Sequence, residues 1–243
     1  MRAPTASELL AVWERCTAQT PAERALELLA LASPEAPARE LEELTAGERD
    51  ARLLDLRELA FGPELAGVGT CTSCGEPVEF SIDAGAVRAG PPADDGGPLS
   101  LSCAGYELRL RLPTTGDLAA ISSERDPELA RVRLLEQCLL EARRNGAEEP
   151  VQTLPEFVTT AVAERMAEAD PQADVELELS CPACAHVWSA AFDVGSFLWS
   201  ELDSWTRRTL DDVHALASAY GWSESEILAL GTRRQRYLER VRG

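Results

Sequence analysis

The sequence contains no lysine. All 23 basic side chains are arginines, set against 42 aspartates and glutamates, which leaves a formal net charge of −19. Binding to nucleic-acid phosphates or to anionic membranes depends largely on excess positive charge, so the composition argues against both kinds of partner. It is typical of a solvated acidic surface, and such a surface also attracts basic protein partners.

Long apolar runs are missing as well. No stretch approaches the ~18 apolar residues that a membrane-spanning helix requires, and no early segment has the pattern of a signal peptide. We therefore expect a cytoplasmic protein, in which thiols stay reduced and paired cysteines bind metals more often than they form disulfides. Aromatic residues make up 5% of the chain, so the core must consist mainly of leucine, valine and alanine.

Groups suited to catalysis are few. His186 and His214 are the only histidines, no phosphate-binding loop is present, and no pair of carboxylates stands out from the charged helix faces. His214 lies beside the apolar stripe of a predicted helix, where packed or surface histidines are common. We predict that the protein is not an enzyme.

The two ends of the chain have helical patterns. Helices are predicted over residues 7–18 and 22–32, and a third begins at the Thr45-x-x-Glu48 spacing of a capping box. Apolar residues at steps of three and four continue from residue 198 to residue 220, which predicts one long helix that ends at Gly221. Ser223 is expected to cap a further turn, and residues 232–241 form the last predicted helix.

Alternating apolar and polar residues predict strands in the middle of the chain. These lie at residues 76–82, 99–101, 106–112, 175–179 and 187–192. Residues 84–98 are rich in glycine, proline and aspartate and predict a flexible loop. Helices are predicted over residues 127–145, with Gly146 as the stop, and over residues 154–169.

These patterns predict an α+β fold with zinc-ribbon-like β knuckles, a helical N-terminal region, a helical insertion and a long C-terminal helix. The predicted units are an N-terminal helical region (1–65), a first β/zinc-knuckle unit (66–112), a helical insertion (113–172), a second β/zinc-knuckle unit (173–194) and a C-terminal helical region (195–243).

Four of the seven cysteines form two Cys-x-x-Cys pairs, Cys71/Cys74 and Cys181/Cys184. Zinc prefers four ligands in a tetrahedron, and one such pair supplies half of them. Because each pair adjoins predicted strands, we predict one closed, structural Zn²⁺ site that uses all four thiolates. The long stretch of chain between Cys74 and Cys181 does not prevent the two pairs from sharing an ion. The entropic cost of closing a loop grows by only about 0.6 kcal/mol per doubling of loop length, whereas a structural zinc site contributes on the order of 10 kcal/mol.

The turn after the second cysteine of each pair usually needs a positive φ. Gly75 suits this position in the first pair, whereas Ala185 occupies it in the second pair and should introduce mild strain.

Other roles for the cysteines remain open. A thiol oxidoreductase would need a low-pKa thiolate, usually at a helix N-terminus, but both pairs adjoin strands. His186 or Cys103 could substitute as a ligand, although His186 fits better as a hairpin residue beside the second pair. Cys16 and Cys138 lie in amphipathic helices and are expected in the core. Four cysteine ligands would close the coordination sphere, which argues against a catalytic zinc.

Several motifs, in consistent order, resemble a known family. They are Leu44-Thr45-Ala46-Gly47-Glu48-Arg49-Asp50, Phe61-Gly62, the first cysteine pair, Leu112-Pro113-Thr114-Thr115-Gly116-Asp117-Leu118, the Cys-Pro-x-Cys of the second pair, Phe192-Asp193, and further blocks between residues 197 and 238. Over about residues 44–242 the chain resembles the T-even-type phage baseplate family, meaning baseplate hub assembly proteins and their relatives in contractile injection system clusters.

This resemblance implies a structural or assembly component of a baseplate, with baseplate or tail hub proteins as partners and possible incorporation into a phage tail or injection particle. Two alternatives come from other classes: a zinc-ribbon regulatory adaptor, which the net charge disfavours, and the thiol oxidoreductase. The aromatic tail between residues 220 and 241 has two open interpretations, because it could dock a partner or pack on the chain's own long helix.

Overall fold

The N-terminal quarter of the chain is helical, as the sequence predicts. A computed structural model describes residues 1–90 and 97–242. Its first four helices are α1 (Ala6–Cys16), α2 (Pro21–Ala32), α3 (Ala38–Glu42) and α4 (Ala46–Phe61). The predicted capping box at Thr45 and Glu48 is confirmed at the start of α4, and equivalent boxes begin α1 and α2. The short helix α3 was not predicted.

In the described part of the chain, eight strands form three antiparallel sheets. The strands are β1 (Glu64–Thr70), β2 (Pro77–Asp83), β3 (Leu99–Cys103), β4 (Tyr106–Leu110), β5 (Leu139–Arg144), β6 (Ala147–Glu148), β7 (Glu176–Ser180) and β8 (Val187–Ala191). Strands β1 and β2 pair as one hairpin, and β7 and β8 pair as another. The remaining four make a sheet in the order β3-β4-β5-β6. The two knuckle hairpins therefore lie outside the largest sheet.

Six further helices complete the described part of the chain. They are α5 (Thr115–Ile121), α6 (Pro127–Cys138), α7 (Glu156–Ala169), α8 (Val194–Tyr220), α9 (Glu224–Ala229) and α10 (Arg234–Arg242). Helix α8 is the predicted long C-terminal helix, and Gly221 ends it with a φ of 70°. Within residues 1–90 and 97–242, no helix combines the length and the apolar character needed to cross a bilayer.

The predicted helix over residues 127–145 is wrong in its second half. Helix α6 ends at Cys138, and the chain continues as β5, which pairs with β4 and places buried Ala142 opposite buried Leu108. Asn145 and Gly146 then have φ values of 51° and 86°, the backbone that a two-residue hairpin turn requires. Gly146 therefore serves a turn between β5 and β6 and does not stop a helix. The predicted helical insertion thus contains two strands.

The predicted loop over residues 84–98 is only partly a loop. Residues Ala84–Val87 form a 3₁₀ turn that buries Ala84 and Val87 in the main core, and Asp83 caps its first turn. Residues 91–96 of this prediction lie outside the described part of the chain.

The largest apolar core joins the N-terminal helices to the first half of α8. Its most buried side chains include Leu28, Leu29, Leu53, Leu54 and Leu202. A second core lies between the four-stranded sheet and α7, and a third surrounds the last turns of α8 with α9 and α10. Helix α8 therefore connects the main core to a separate C-terminal cluster.

The start of α4 is a junction between distant parts of the chain. Thr45 and Thr114 form an isolated antiparallel bridge, which places the capping boxes of α4 and α5 side by side. The second residue of each of these helices is a glycine, Gly47 in α4 and Gly116 in α5. The N–H of Gly47 donates to Asp170 Oδ2 at 2.8 Å. A Cβ at Gly47 would lie 1.8 Å from Asp170 Oδ1, so only glycine fits this contact.

Candidate metal centre

Each Cys-x-x-Cys pair lies at the tip of a hairpin and is shaped by the same two backbone bonds. In the first hairpin, Cys71 N–H donates to the Glu76 carbonyl oxygen at 2.9 Å, and Gly75 N–H donates to the Cys71 carbonyl oxygen at 2.9 Å. In the second hairpin, Cys181 and Ala185 donate the equivalent bonds at the same distances. The two tips are thus structural repeats, although their sequences share little beyond the cysteines.

The backbone after each pair adopts the conformation expected from the sequence. Gly75 has a φ of 77° and Ala185 a φ of 59°. Alanine is rarely found at positive φ, because its Cβ approaches the neighbouring carbonyl oxygen. The strain predicted at Ala185 is therefore present in the second knuckle.

The structure brings the four predicted cysteines into one cluster. Their Sγ atoms all lie within 4.8 Å of one another. Between the hairpins, Cys71 lies 3.7 Å from Cys184, and Cys74 lies 3.6 Å from Cys181. These distances are too long for a disulfide bond. Four sulfurs at the usual Zn–S distance of 2.3 Å form a tetrahedron with edges of about 3.8 Å. The cluster therefore fits a single tetrahedral metal ion.

The first cysteine of each pair is buried and the second is exposed. Cys71 and Cys181 are 2% and 1% exposed, and they pack with Val78 and the partly buried Trp188. A Cβ at Gly69 would lie 3.1 Å from Leu179 Cδ1, so a glycine in β1 lets the two hairpins approach closely. The two buried cysteines of the cluster therefore pack against apolar side chains, whereas Cys74 and Cys184 face solvent.

Hydrogen bonds and close sulfurs give two of the thiols opposite pKa shifts. The backbone N–H of Cys74 and that of Ser73 stabilise a thiolate at Cys71, and its pKa falls to about 6. The N–H of Glu76 acts in the same direction on Cys74, but the neighbouring cysteine sulfurs outweigh it and raise the pKa of Cys74 to about 12. Crowded thiols do not ionise together in the absence of a cation, and four thiolates are the donor set that zinc prefers in closed sites.

His186 and Cys103, the two possible substitute ligands, lie outside this cluster among the described residues. His186 Nε2 lies 3.0 Å from Thr72 Oγ1, which links the two hairpin tips, and its ring stacks on Trp188 with centroids 6.0 Å apart. Cys103 belongs to β3 and packs against the second core. His186 is therefore a hairpin residue beside the knuckle.

The remaining predicted residues lie away from the cluster. Cys16 and Cys138 are buried, as predicted, in the main core and at the end of α6. His214 is exposed on α8. Sequence reasoning did not single out Trp188 or Thr72 as supports of the cluster; the only available signal is their position within four residues of a cysteine.

The comparison with protein families decides how the chain is classified. The sequence model of the family described as T4 bacteriophage base plate protein matches residues 27–199. The chain belongs to this family. The match to the T4 bacteriophage base plate protein family includes both cysteine pairs and most of the main core. No curated protein and no solved structure gives a significant match.

Two of the motifs that carried the resemblance in the sequence meet in the structure. Residues 44–50 and 112–118 contain the two capping boxes joined at Thr45 and Thr114. In addition, Thr115 N–H donates to the Leu44 carbonyl oxygen at 2.8 Å. These segments of the baseplate family sequence therefore shape a helix junction, which explains their pattern without any chemical role.

Proposed function

We propose that the chain is a structural or assembly component of the baseplate hub in a contractile phage tail or a contractile injection system. Membership of the T4 baseplate family supports a baseplate role. The location in the hub, and the occurrence in a phage tail or an injection system, go beyond what the family match supports. Its partners would be baseplate or tail hub proteins, and it would work either within the finished particle or only during assembly.

The same proposal gives the chain one structural Zn²⁺, bound by Cys71, Cys74, Cys181 and Cys184. The observation that carries it is the sulfur cluster, whose distances of 3.6 and 3.7 Å between the hairpins match the edge of a zinc tetrahedron. When bound, the ion would join the two hairpins as a zinc-ribbon-like unit. The protein's own contribution is the backbone geometry of the two tips and the apolar support beneath them.

The geometry also supports a role without catalysis. Four thiolate ligands leave no open coordination position for a substrate or a water molecule. Backbone N–H groups lower the pKa of Cys71 to about 6, but both cysteine pairs lie at hairpin tips, whereas redox-active pairs usually lie at the N-terminus of a helix. A structural site therefore agrees better with these residues than hydrolysis or thiol exchange does.

The experiment is co-expression of the tagged chain with the products of the neighbouring tail genes, followed by affinity purification and mass spectrometry. We expect baseplate hub proteins to co-purify in fixed proportion with the wild-type chain and with Cys103→Ser. The double variant Cys71→Ser/Cys181→Ser should lose both its zinc and these partners.

Three results would count against the proposal. Recovery of folding chaperones without any tail protein would refute the assembly role. Hub binding by a wild-type chain that contains no metal would refute the zinc assignment alone. Reproducible turnover of a peptide, ester, phosphate or disulfide substrate that a point variant abolishes would refute the absence of catalysis.

A further inference from the structure

The C-terminal residues form a small core that is separate from the main one. Leu216 near the end of α8, Ile227 in α9 and Leu238 in α10 are all buried against one another. The aromatic tail therefore packs on the chain's own long helix, which is one of the two interpretations left open by the sequence. This packing leaves the outer side of the cluster available.

Three aromatic rings cluster beside this core, and two of them, Trp222 and Tyr237, pack directly against it. Tyr220 and Trp222 stack with centroids 4.6 Å apart, and Tyr237 meets them edgewise at 5.9 and 5.0 Å. Tyr220 remains 40% exposed. The rings hold one another in fixed positions, so they form a rigid surface that loses little conformational entropy when something binds to it.

Arginines flank Tyr237 along the chain. Arg240 lies three residues after Tyr237 on α10 and shares its face, and Arg236 adjoins Tyr237. Arg233 is the last residue of the short 3₁₀ turn that precedes α10. All three side chains belong to exposed residues, and among the described residues none of them has a hydrogen bond, an ion pair or a ring contact. Arg234, by contrast, turns inward and lies 3.8 Å from Asp212.

The charge of this segment is opposite to that of the whole chain. Residues 220–243, which include all three rings, contain five arginines and three glutamates, a net charge of +2, in a protein whose total is −19. The segment also lies beyond residue 199, where the match to the baseplate family ends. An aromatic surface with a local excess of positive charge therefore lies in the C-terminal part of an otherwise acidic protein.

We propose that Tyr220, Trp222 and Tyr237, with Arg233, Arg236 and Arg240, form a docking surface for an acidic segment of a partner protein. Tyrosine, tryptophan and arginine are the residue types that dominate the energetics of protein interfaces. The guanidinium groups would bind carboxylates of the partner through paired hydrogen bonds, and the rings would cover its apolar side chains. The surface would thereby determine which partner protein this chain binds.

An acidic peptide fits this surface better than a nucleic acid does. At physiological ionic strength the screening length is about 8 Å, so a short acidic segment senses mainly the nearby arginines. A duplex carries a charge about every 1.7 Å along its axis and would extend over the acidic remainder of the protein. Two copies of the chain would bring two bodies of high negative charge together, which disfavours self-association through this surface.

The test measures binding of a fluorescein-labelled peptide of repeated Glu-Glu-Leu units to the full, purified chain by fluorescence anisotropy. We expect binding that weakens as salt is added, and we expect Arg233→Gln/Arg236→Gln/Arg240→Gln to weaken it about tenfold or more. Tyr220→Ala keeps every charge and removes only the most exposed ring, so it should weaken binding by about threefold or more.

The matched control is Arg39→Gln/Arg125→Gln/Arg143→Gln, which removes the same charge from exposed arginines elsewhere. It should bind the peptide like the wild type, and circular dichroism should show that both triple variants are folded. This test does not rest on the proposed hub function, because it needs only the purified chain and the peptide.

Each of the following results would overturn the proposal. One is equal loss of binding in both triple variants, which would show an effect of overall charge. Others are equal binding of a Gln-Gln-Leu peptide, no binding of the acidic peptide at low salt, or tighter binding of a labelled DNA duplex that the C-terminal triple variant abolishes. The last is self-association in light scattering that the same variant abolishes, which would identify a second copy as the occupant.

Discussion

Arg57 on α4 and Glu201 on α8 form a two-pronged ion pair. Arg57 Nε donates to Glu201 Oε2 at 2.8 Å, and Arg57 Nη2 donates to Glu201 Oε1 at 2.7 Å. The arginine side chain is 3% exposed, and it also donates to the carbonyl oxygens of Gly62 and Glu64. One buried guanidinium thus joins two core helices to the beginning of the first knuckle hairpin.

Replacement of Arg57 by lysine should destabilise the protein by about 3 kcal/mol. An ammonium group cannot reproduce the planar pair of bonds or reach the two carbonyl oxygens, so buried acceptors lose their partners. Urea denaturation would measure the change in the free energy of unfolding. Arg207→Lys is the control, because Arg207 pairs with Asp203 on the exposed side of α8 and should change stability by less than about 1 kcal/mol. Equal effects of the two variants would contradict the role given to Arg57.

Single Cys→Ser changes at Cys71, Cys74, Cys181 and Cys184 should each remove the metal. We expect about one zinc ion per wild-type chain and, in each variant, a loss of several kcal/mol of stability, since a structural zinc contributes on the order of 10 kcal/mol. Elemental analysis after gel filtration and thermal unfolding with and without a chelator would show both effects. Cys103→Ser should keep the ion. A wild-type protein without tightly held metal would defeat the prediction.

The two knuckle tips should respond oppositely to exchanges of glycine and alanine. Ala185→Gly relieves the strain of a positive φ and should stabilise the protein by about 0.5 kcal/mol, after the greater flexibility of glycine in the unfolded chain is subtracted. Gly75→Ala introduces the same strain and should destabilise it by about 1 kcal/mol. Thermal unfolding of the zinc-loaded proteins measures both. Changes of the same sign would show that φ does not govern the difference.

Gly47→Ala should destabilise the protein by about 2 kcal/mol or more. The new Cβ would overlap the Asp170 carboxylate that accepts the Gly47 N–H, so the contact between α4 and the end of α7 would have to open. Gly116→Ala is a matched control: it has the same place in the capping box of α5, but its Cβ would meet nothing closer than 3.4 Å. It should change the unfolding free energy by less than about 1 kcal/mol. Similar losses in both variants would refute this account.

Asp117 should make the stability of the α5 start depend on pH. Burial raises the pKa of Asp117, but hydrogen bonds from Arg111 and Thr114 outweigh it and hold that pKa below its usual value. A carboxyl group with a lowered folded-state pKa stabilises the fold above its unfolded pKa of about 3.9, and this contribution is lost as the pH falls through the folded value. Asp117→Asn should therefore cost about 1 kcal/mol at neutral pH and nothing in strong acid. Urea denaturation of both proteins across this pH range is the measurement. A difference in unfolding free energy between the wild type and Asp117→Asn that is the same at every pH would exclude the effect.

The local parts of the fold and of the site were predictable from the sequence. A capping box needs only Thr45 and Glu48 in the correct spacing, and each hairpin tip needs only its own cysteines and a few alternating residues. The helix prediction was wrong over residues 139–144, because leucine, glutamate, alanine and arginine favour a helix locally. Pairing with β4 makes this segment a strand instead. The Asn145-Gly146 turn was the available signal for that strand.

The relative placement of the two hairpins was not predictable in the same way. The distances between sulfurs of different hairpins, and the contact between Thr72 and His186, depend on how β1 packs against β7 and β8. This packing is decided by residues far apart in the chain. Spacing alone could nominate the four cysteines, but it carried no information about how the two hairpins are oriented against each other.

The sequence separation between the halves of the cluster has a consequence during synthesis. Cys71 and Cys184 are 113 positions apart, and a ribosome adds about 5–20 residues per second, so the first pair of thiols emerges on the order of ten seconds before the last one. Throughout that interval a nascent chain can offer an ion only half a coordination shell. A chain that terminates between the two pairs keeps this incomplete shell permanently, so at the proposed zinc site tight metal retention would distinguish chains that contain both hairpins from shorter fragments.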